Sequence, residues 1–163
     1  MHKDSVIRLI KKEDNAELAR IIRTVLTEFN AGKPGTVFFD PTTDNLFDLF
    51  SAPYAEYWVL ELNGMIVGGS GVYPTLGLPD GCCELVKLYL LKEARGKGYG
   101  KRLIEQCFGS AKKFGFKQVY LETMPELKMA VGLYEKCGFN YLTRPLGKSG
   151  HFGCDLWMLK KLA

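Results

Sequence analysis

Apolar positions follow a helical repeat near the N-terminus of the chain. In residues 14–30, "DNAELARIIRTVLTEFN", apolar side chains recur at intervals of three and four residues. This spacing predicts an amphipathic helix with Asp14 or Asn15 as its N-cap. A short strand, "VIRLI", precedes the helix, and "DNLFDLF" after a Gly- and Pro-rich loop predicts a second, short helix.

The middle of the chain has the composition of strands. "EYWVLEL" and "MIVGGSGVY" flank the dipeptide Asn63-Gly64, which is a strong signal for a tight hairpin. A third strand, "CCELVKLYLL", follows. Helices and strands then alternate: "GYGKRLIEQCFGSAKKFGF" predicts a helix ending at Gly115, "KQVYLETM" a strand, and "ELKMAVGLYEKCGF" a helix ending at Gly138.

"NYLTR" and "CDLWMLKKL" predict two closing strands joined by the loop "PLGKSGHFG". The predicted order is therefore strand, two helices, three strands, helix, strand, helix and two strands. This is a mixed α/β fold, and we expect a single domain over residues 1–163 because no linker or repeat divides the chain.

Composition narrows the class of protein. The 163 residues are 47% hydrophobic and 25% charged, as in ordinary soluble domains. The formal net charge of +4 suits a small anionic ligand. Aromatic residues fall at core spacings, so we expect no nucleic-acid partner. No apolar run is long enough for a membrane span or a signal peptide, so we expect a cytoplasmic protein with no membrane partner.

Cysteine and histidine usage predicts neither disulfides nor a metal. The five cysteines include no C-x-x-C pair, and an odd count with this spacing favours reduced thiols. The two histidines, His2 and His151, do not lie at a zinc-ligand spacing from cysteine or carboxylate. Cys137 has no histidine close in sequence to activate it, and we interpret it as a packing thiol.

Residues 95–101, "RGKGYGK", place three glycines between a predicted strand and a predicted helix. The free amides and the positive dipole end of such a helix form an anion site, and glycines let a phosphate approach them. A solvated basic turn is the alternative. Spacing excludes a P-loop, because Arg95 and Arg102 occupy required Gly and Ser/Thr positions, and it excludes the G-x-G-x-x-G dinucleotide loop.

The pattern R-x-x-G-x-G, at Arg95 to Gly100, resembles the acetyl-CoA pyrophosphate loop of the GNAT superfamily of N-acetyltransferases. A second element, "LYEKCGF" (residues 133–139), resembles a later motif of that family, and the order of elements matches along nearly the whole chain. The resemblance implies a splayed central sheet, acetyl-CoA as cosubstrate, and acetyl transfer to a primary amine of a small molecule or protein. A non-catalytic acyl-CoA-binding regulatory module is the alternative. We expect a monomer or a homodimer.

The resemblance also implies the cofactor contacts. The loop amides and basic side chains would hold the pyrophosphate, and the preceding strand would pair with the pantetheine arm. The amide of Leu90 becomes the candidate donor to the acetyl oxygen, a catalytic role. The implied cofactor-binding residues are Leu88, Tyr89, Leu90, Arg95, Gly96, Lys97, Gly98, Tyr99, Gly100 and Lys101.

Glu84 is the candidate general base. Strict alternation places it on one strand face with Val86, Leu88 and Leu90, where apolar neighbours would raise its pKa and let it accept the amine proton through a water. The alternative is a strand-end glutamate paired with a surface lysine.

Tyr134 is the candidate general acid, because it matches the family tyrosine whose hydroxyl protonates the departing sulfur. The alternative is a core tyrosine. Two positions depart from the family pattern: Leu127 replaces a common Asn, which leaves the pantetheine path open, and Lys92 replaces a common Pro. Glu28 and Asp40, at either end of the first loop, could attract a cationic amine.

Overall fold

A computed structural model describes residues 4–163 of the chain. Its strands form one seven-stranded mixed sheet in the order β1-β2-β3-β4-β5-β7-β6. The strands are β1 Ser5–Leu9, β2 Glu56–Leu62, β3 Met65–Tyr73, β4 Cys82–Leu90, β5 Gln118–Thr123, β6 Asn140–Leu142 and β7 Leu156–Lys161.

Four α-helices cover the two faces of this sheet. They are α1 Asn15–Glu28, α2 Leu46–Leu49, α3 Tyr99–Lys113 and α4 Lys128–Lys136. The buried faces of α1 and α2 form one hydrophobic cluster with strands β2 and β4, while α3 and α4 pack against the opposite face. The order of helices and strands agrees with the prediction, and the mixed α/β class is confirmed.

The predicted hairpin joins β2 and β3. Asn63 and Gly64 both have left-handed backbone angles, with φ of 52° and 79°. Two successive positive φ values define the type I′ turn, whose twist matches that of the flanking strands. The turn sets the antiparallel pairing that begins with Leu62 opposite Met65.

Strands β4 and β5 separate after a short parallel contact. They pair only from Cys82–Glu84 to residues 118–120, and the remainder of β4 has no partner on that side within the described chain. β5 continues instead along β7, with Thr123 opposite Leu156. The splayed central sheet is therefore present, and the gap between β4 and β5 positions the site described below.

None of the helices within residues 4–163 combines the length and the apolar composition needed to cross a bilayer.

Candidate active site

A cleft of about 520 Å³ opens where β4 leaves the sheet. One wall is the end of β4 with the glycine-rich loop, and the other is α4. The floor is apolar, and lysine side chains of α3 and α4 lie along the lining. The lining residues are Val25, Phe29, Leu88, Tyr89, Leu90, Arg95, Gly96, Gly98, Gly100, Lys101, Leu127, Lys128, Met129, Ala130, Gly132, Leu133 and Lys136.

The glycine-rich loop delivers the N-terminus of α3 to this cleft. Gly96 and Gly98 have φ of 72° and 85°, a left-handed region that glycine enters without a steric penalty. The Arg102 amide donates to the Gly98 carbonyl (3.2 Å), so the earlier amides of the first turn point out of the helix. Gly100 lies so close to α4 that an added Cβ would be 2.7 Å from the Leu133 side chain.

Most of the predicted cofactor-binding residues line this cleft. Eight of the ten do so, and the side chains of Lys97 and Tyr99 do not. The Tyr99 ring is buried in a cluster that includes Leu60 and Leu103. Lys97 Nζ donates to the Glu93 carbonyl at 2.9 Å. The buried Tyr99 can face a ligand in the cleft only through its backbone.

Arg95 makes contacts that the sequence did not predict. Its guanidinium pairs with both carboxylate oxygens of Glu28 (2.6 and 2.9 Å) and lies 4.8 Å from the centre of the Phe29 ring. Its Nε donates to the Leu90 carbonyl at 3.0 Å. Arg95 therefore ties the loop and the end of β4 to α1, and much of its charge is already neutralised by Glu28.

A β-bulge interrupts β4 at Lys87 and Leu88. Gly71 pairs with Val86 and Gly69 with Tyr89, so two residues of β4 lie opposite one residue of β3. Lys87 has a left-handed φ of 54°, which is rare for a residue with a side chain.

The aromatic ring of Tyr57 supports the bulge from across β3. Its hydroxyl donates to the Lys87 carbonyl at 2.8 Å. The ring lies so close to β3 that an added Cβ at Gly69 or Gly71 would be 2.6 or 2.7 Å from it. Gly69 and Gly71 are therefore required for this contact.

The bulge corrects the strand face predicted for Leu88 and Leu90. Strict alternation put Glu84, Val86, Leu88 and Leu90 on one face, and this is wrong beyond Val86. Val86 and Tyr89 pack toward α1, whereas Leu88 packs toward α3 and α4. The extra residue in β4 shifts the alternation by one position.

The backbone of Leu90 faces the cleft. The Leu91 amide donates to the Val67 carbonyl of β3 at 2.8 Å. Successive amides of a strand point to opposite edges, so the Leu90 amide points away from β3. The Leu90 carbonyl agrees with this direction, because it bonds Arg95 and not β3.

A smaller cavity of about 40 Å³ adjoins the cleft, and Leu88, Tyr89 and Leu127 line both. Glu84 is buried in its wall and accepts a hydrogen bond from Thr75 Oγ1 at 2.6 Å. Burial raises the pKa of Glu84 to about 7, against the lowering effect of the Thr75 hydrogen bond. The alternative reading of Glu84 as a residue paired with a surface lysine is therefore excluded.

Lys87 and His151 line the same cavity and both lie next to Asp40. Asp40 Oδ2 is 2.8 Å from His151 Nε2 and 3.7 Å from Lys87 Nζ. Burial opposes ionisation of Asp40, but the His151 hydrogen bond and the Lys87 charge hold its pKa below the usual range. Asp40 is thus already in contact with both His151 and Lys87.

A second carboxylate, Glu122, lies beside Glu84. Oxygen or nitrogen ligand atoms of Glu84, Glu122 and His151 lie within 4.8 Å of one another. Glu122 accepts hydrogen bonds from the hydroxyls of Tyr120 (2.6 Å) and Ser149. Its charge contributes to the raised pKa of Glu84.

Tyr134 borders the smaller cavity from helix α4. Its ring is buried and packs edge-on against Phe139, with ring centres 5.9 Å apart. Burial raises the pKa of its hydroxyl above the usual value, so the hydroxyl keeps its proton. Burial also raises the pKa of the Cys137 thiol, which agrees with a packing thiol.

Several residues of the site were missed by sequence reasoning. Lys128 and Lys136 lie on the same face of α4 and both line the cleft. A helical wheel of this segment would have shown that they share a face. Thr75 and Glu122 come from a loop and a strand end, and no local pattern marks them. Lys87 sits in an apolar run, and a charge there was the available signal.

A splayed mixed sheet, with a helix N-terminus and a buried carboxylate beside the gap, is an architecture that this chain shares with acetyltransferases. The sequence profile of the acetyltransferase (GNAT) family matches residues 21–139. The protein named "Uncharacterized N-acetyltransferase YjgM" of Escherichia coli (strain K12) is 40% identical over 158 residues, which cover 96% of this chain and 95% of that protein.

Two solved structures share the fold. A GNAT-family acetyltransferase from Staphylococcus aureus has a TM-score of 0.87 at 20% identity, covering 98% of this chain and 100% of that one. The PaiA N-acetyltransferase of Thermoplasma acidophilum, in complex with coenzyme A, has a TM-score of 0.75 at 19% identity, with coverage of 98% and 100%.

The chain belongs to the GNAT family of acetyltransferases, and the predicted resemblance is confirmed. It is an acetyl-CoA-dependent acyltransferase, with acetyl-CoA as its cosubstrate.

Proposed function

We propose that the protein transfers the acetyl group of acetyl-CoA directly to a primary amine of a small molecule or protein, with Glu84 as general base and Tyr134 as general acid. The observation that carries the proposal is the junction of the two cavities. Glu84 and Tyr134 both line the smaller cavity, which meets the larger cleft at Leu88, Tyr89 and Leu127. A thioester in the cleft would present its carbonyl to an amine in the smaller cavity.

The cleft suits acetyl-CoA along its length. The pyrophosphate would accept hydrogen bonds from the first-turn amides of α3, with Lys101 adding positive charge. The pantetheine arm would pair with the unpartnered edge of β4. The acetyl oxygen would then accept from the Leu90 amide, which stabilises the negative charge of the tetrahedral intermediate. The coenzyme A complex of the PaiA relative supports a cofactor site on this fold.

The reaction requires two proton transfers. The amine must lose a proton to attack the thioester carbon, and Glu84 accepts it directly or through a water. The C–S bond then breaks, and Tyr134 donates a proton to the departing thiolate. A carboxylate with a pKa of about 7 is matched to this task, because it is largely ionised just above neutrality and still basic.

A non-catalytic acyl-CoA-binding module is the competing function. Such a module needs the cleft but has no use for a buried carboxylate and a buried tyrosine around an adjoining cavity. Release of coenzyme A thiol during incubation with amines separates the two functions, because a binding module releases none.

The Glu84→Gln variant tests the base. In the parent enzyme we expect kcat/KM to rise with pH along a limb with its midpoint near 7, which reports ionisation of Glu84. Glu84→Gln keeps the shape of the side chain and removes its basicity. Its kcat/KM should fall by about 10²- to 10⁴-fold near neutrality, and part of the rate should return at high pH, where more acceptor is already deprotonated.

Glu122→Gln is the matched control. It removes a neighbouring carboxylate whose charge raises the pKa of Glu84, so the limb should persist with a lower midpoint. Both variants should bind acetyl-CoA as the parent does, since neither residue lines the larger cleft. A full-rate Glu84→Gln enzyme with an unaltered pH profile would pass the role to another carboxylate or to a water chain.

A further inference from the structure

Lys87 is a buried lysine, and its burial lowers the pKa of its ammonium group while the neighbouring Asp40 carboxylate opposes this effect. Its side chain is 3% exposed, and its Nζ is the one buried side-chain nitrogen or oxygen in residues 4–163 that has no hydrogen-bond partner. The 3.7 Å separation from Asp40 is an ion pair but exceeds hydrogen-bond length. A desolvated ammonium donor left unpaired is costly, and native proteins rarely keep one without a reason.

The position of Lys87 indicates that its donors serve a ligand. The residue is held in a strained left-handed conformation by the β-bulge, and strain of this kind clusters at binding sites. Lys87 is among the residues that line the same small cavity as Glu84, and its Nζ lies beside Asp40, which contacts His151 at the wall of that cavity. An incoming group that accepts hydrogen bonds would satisfy the Lys87 ammonium.

The charged and titratable groups of this cavity form a row in space from one end to the other. Glu84 lies beside His151, His151 beside Asp40, and Asp40 beside Lys87. The carboxylates of Glu84 and Glu122 mark one end and the Lys87 ammonium marks the other. A ligand with a positive and a negative group would match both ends, and it would add no net charge to the cavity.

We propose that the acceptor is a free α-amino acid, whose carboxylate binds Lys87 Nζ while its amino group lies next to Glu84. This inference rests on the proposed N-acetyltransferase function and names its substrate class. Lys87 is then a specificity-determining residue.

The size of the cavity agrees with this substrate class. The cavity is small, about 40 Å³, so we expect only the amino and carboxylate head of an amino acid to lie in it. The side chain would extend outward. The sequence neighbours of Asp40 and His151, Phe39 and Phe152, have rings 59% and 82% exposed, so apolar amino acids are the first to test.

The first experiment uses the parent enzyme alone. Initial rates of thiol release are measured for leucine, isoamylamine and leucinamide, and for phenylalanine, phenethylamine and phenylalaninamide. Each set shares a side chain and differs at the carboxylate. We expect kcat/KM for the amino acid to exceed that of its amine and its amide by at least about 10²-fold, because the analogues offer no carboxylate to accept a hydrogen bond from Lys87 Nζ.

The second experiment tests Lys87 as the cause of that preference. In Lys87→Met the ratio between amino acid and amine should fall toward one, mainly through a higher KM for the amino acid. Lys117→Met makes the same change at an exposed lysine that lines neither cavity, and it should keep the parent's ratio. Melting with and without acetyl-CoA establishes that each variant is folded.

The outcomes separate the two proposals. If amines or amides are acetylated as well as the amino acids, or if Lys87→Met keeps the parent's preference, the carboxylate site is refuted and the N-acetyltransferase function stands. If no primary amine of any class elicits thiol release, the proposed function itself fails. A Lys87→Met protein that does not fold leaves the decision to the parent enzyme's ratios.

Discussion

Tyr134 occupies a position where burial favours the catalytic role. A general acid must still hold its proton when the thiolate leaves, and burial raises the pKa of this hydroxyl above that of a free tyrosine. The ring packs against Phe139, so its orientation toward the smaller cavity is fixed. The same packing explains why sequence alone could not separate a catalytic tyrosine from a core tyrosine.

Tyr134→Phe should therefore slow turnover without loosening the fold. The substitution removes one hydroxyl and keeps the ring contacts. Turnover should fall by about 10²- to 10⁴-fold, the usual contribution of general acid–base catalysis, while the affinity for acetyl-CoA changes little.

Tyr141→Phe provides the matched control for this measurement. Tyr141 is 52% exposed and its hydroxyl bonds Glu135 at 3.1 Å, outside both cavities. Its loss should leave turnover at the parent's value. A parent-like rate in Tyr134→Phe would assign Tyr134 to packing and leave water to supply the proton.

Single residues of the site differ in how far the sequence predicts them. Glu84 could be predicted as a candidate from the strand pattern around it, and Tyr134 from the motif that contains it. For Lys87 the one local signal was a charge in an apolar run, and its burial could not be predicted, because it depends on a bulge that Tyr57 and glycines of another strand support. Non-local packing of this kind leaves no periodic trace near Lys87.

At the scale of elements, the N-terminus of α3 is the feature that we propose binds the pyrophosphate of acetyl-CoA. The loop glycines place its free amides at the cleft, and the helix dipole adds a partial positive charge there. Local chemistry predicts this element well, since turn glycines and a helical repeat are adjacent in sequence. Strand faces were predicted less well, because one extra residue in β4 inverts every side chain beyond it.

Gly98→Glu should abolish binding of acetyl-CoA at this helix N-terminus. Gly98 is the N-cap of α3 with φ of 85°, and a glutamate there adds a negative charge beside the expected pyrophosphate. The strained backbone will lower the melting temperature of the variant by itself. The measurement is therefore the rise in melting temperature on adding acetyl-CoA, which follows from mass action.

Gly109→Glu is the control for charge and for helix position. Gly109 lies on the exposed face of α3, and no atom lies within 4 Å of the place its Cβ would take. The acetyl-CoA-induced rise should match that of the parent in this variant and vanish in Gly98→Glu. A normal rise in Gly98→Glu would place the pyrophosphate elsewhere.

At the scale of the whole molecule, the order of helices and strands was predictable because each element carries its own local signal. The arrangement of those elements into a splayed sheet came from the family resemblance and not from periodicity. The convergence of Asp40, Glu84, Lys87 and His151 was not predictable, since these residues are brought together by loops and by the gap between β4 and β5.

This convergence has a consequence for the stability of the molecule. The pKa of Glu84 is about 7 in the folded protein and 4.5 in an exposed chain. Below pH 4.5 both states carry the proton, and well above pH 7 neither does. Between these values the folded state binds a proton that the unfolded state has lost, so stability falls as pH rises through this window.

The free energy of unfolding should therefore lose about 3 kcal/mol from Glu84 between pH 4.5 and just above pH 7, since each unit of pKa difference corresponds to about 1.4 kcal/mol. Glu84→Gln has no carboxyl proton to lose, so its unfolding free energy lacks this contribution. The unfolding free energy of the parent minus that of the variant should therefore fall by about 3 kcal/mol as the pH rises from 4.5 to just above 7. Urea unfolding of both proteins at several pH values without acetyl-CoA gives the measurement. Asp40 does not contribute to the change in stability over this pH range, because its pKa in the folded protein lies below its ordinary value of 3.8 and both states are ionised above that value. Parallel pH curves for the two proteins would mean that Glu84 titrates as an exposed carboxylate, and the base role would lose its electrostatic support.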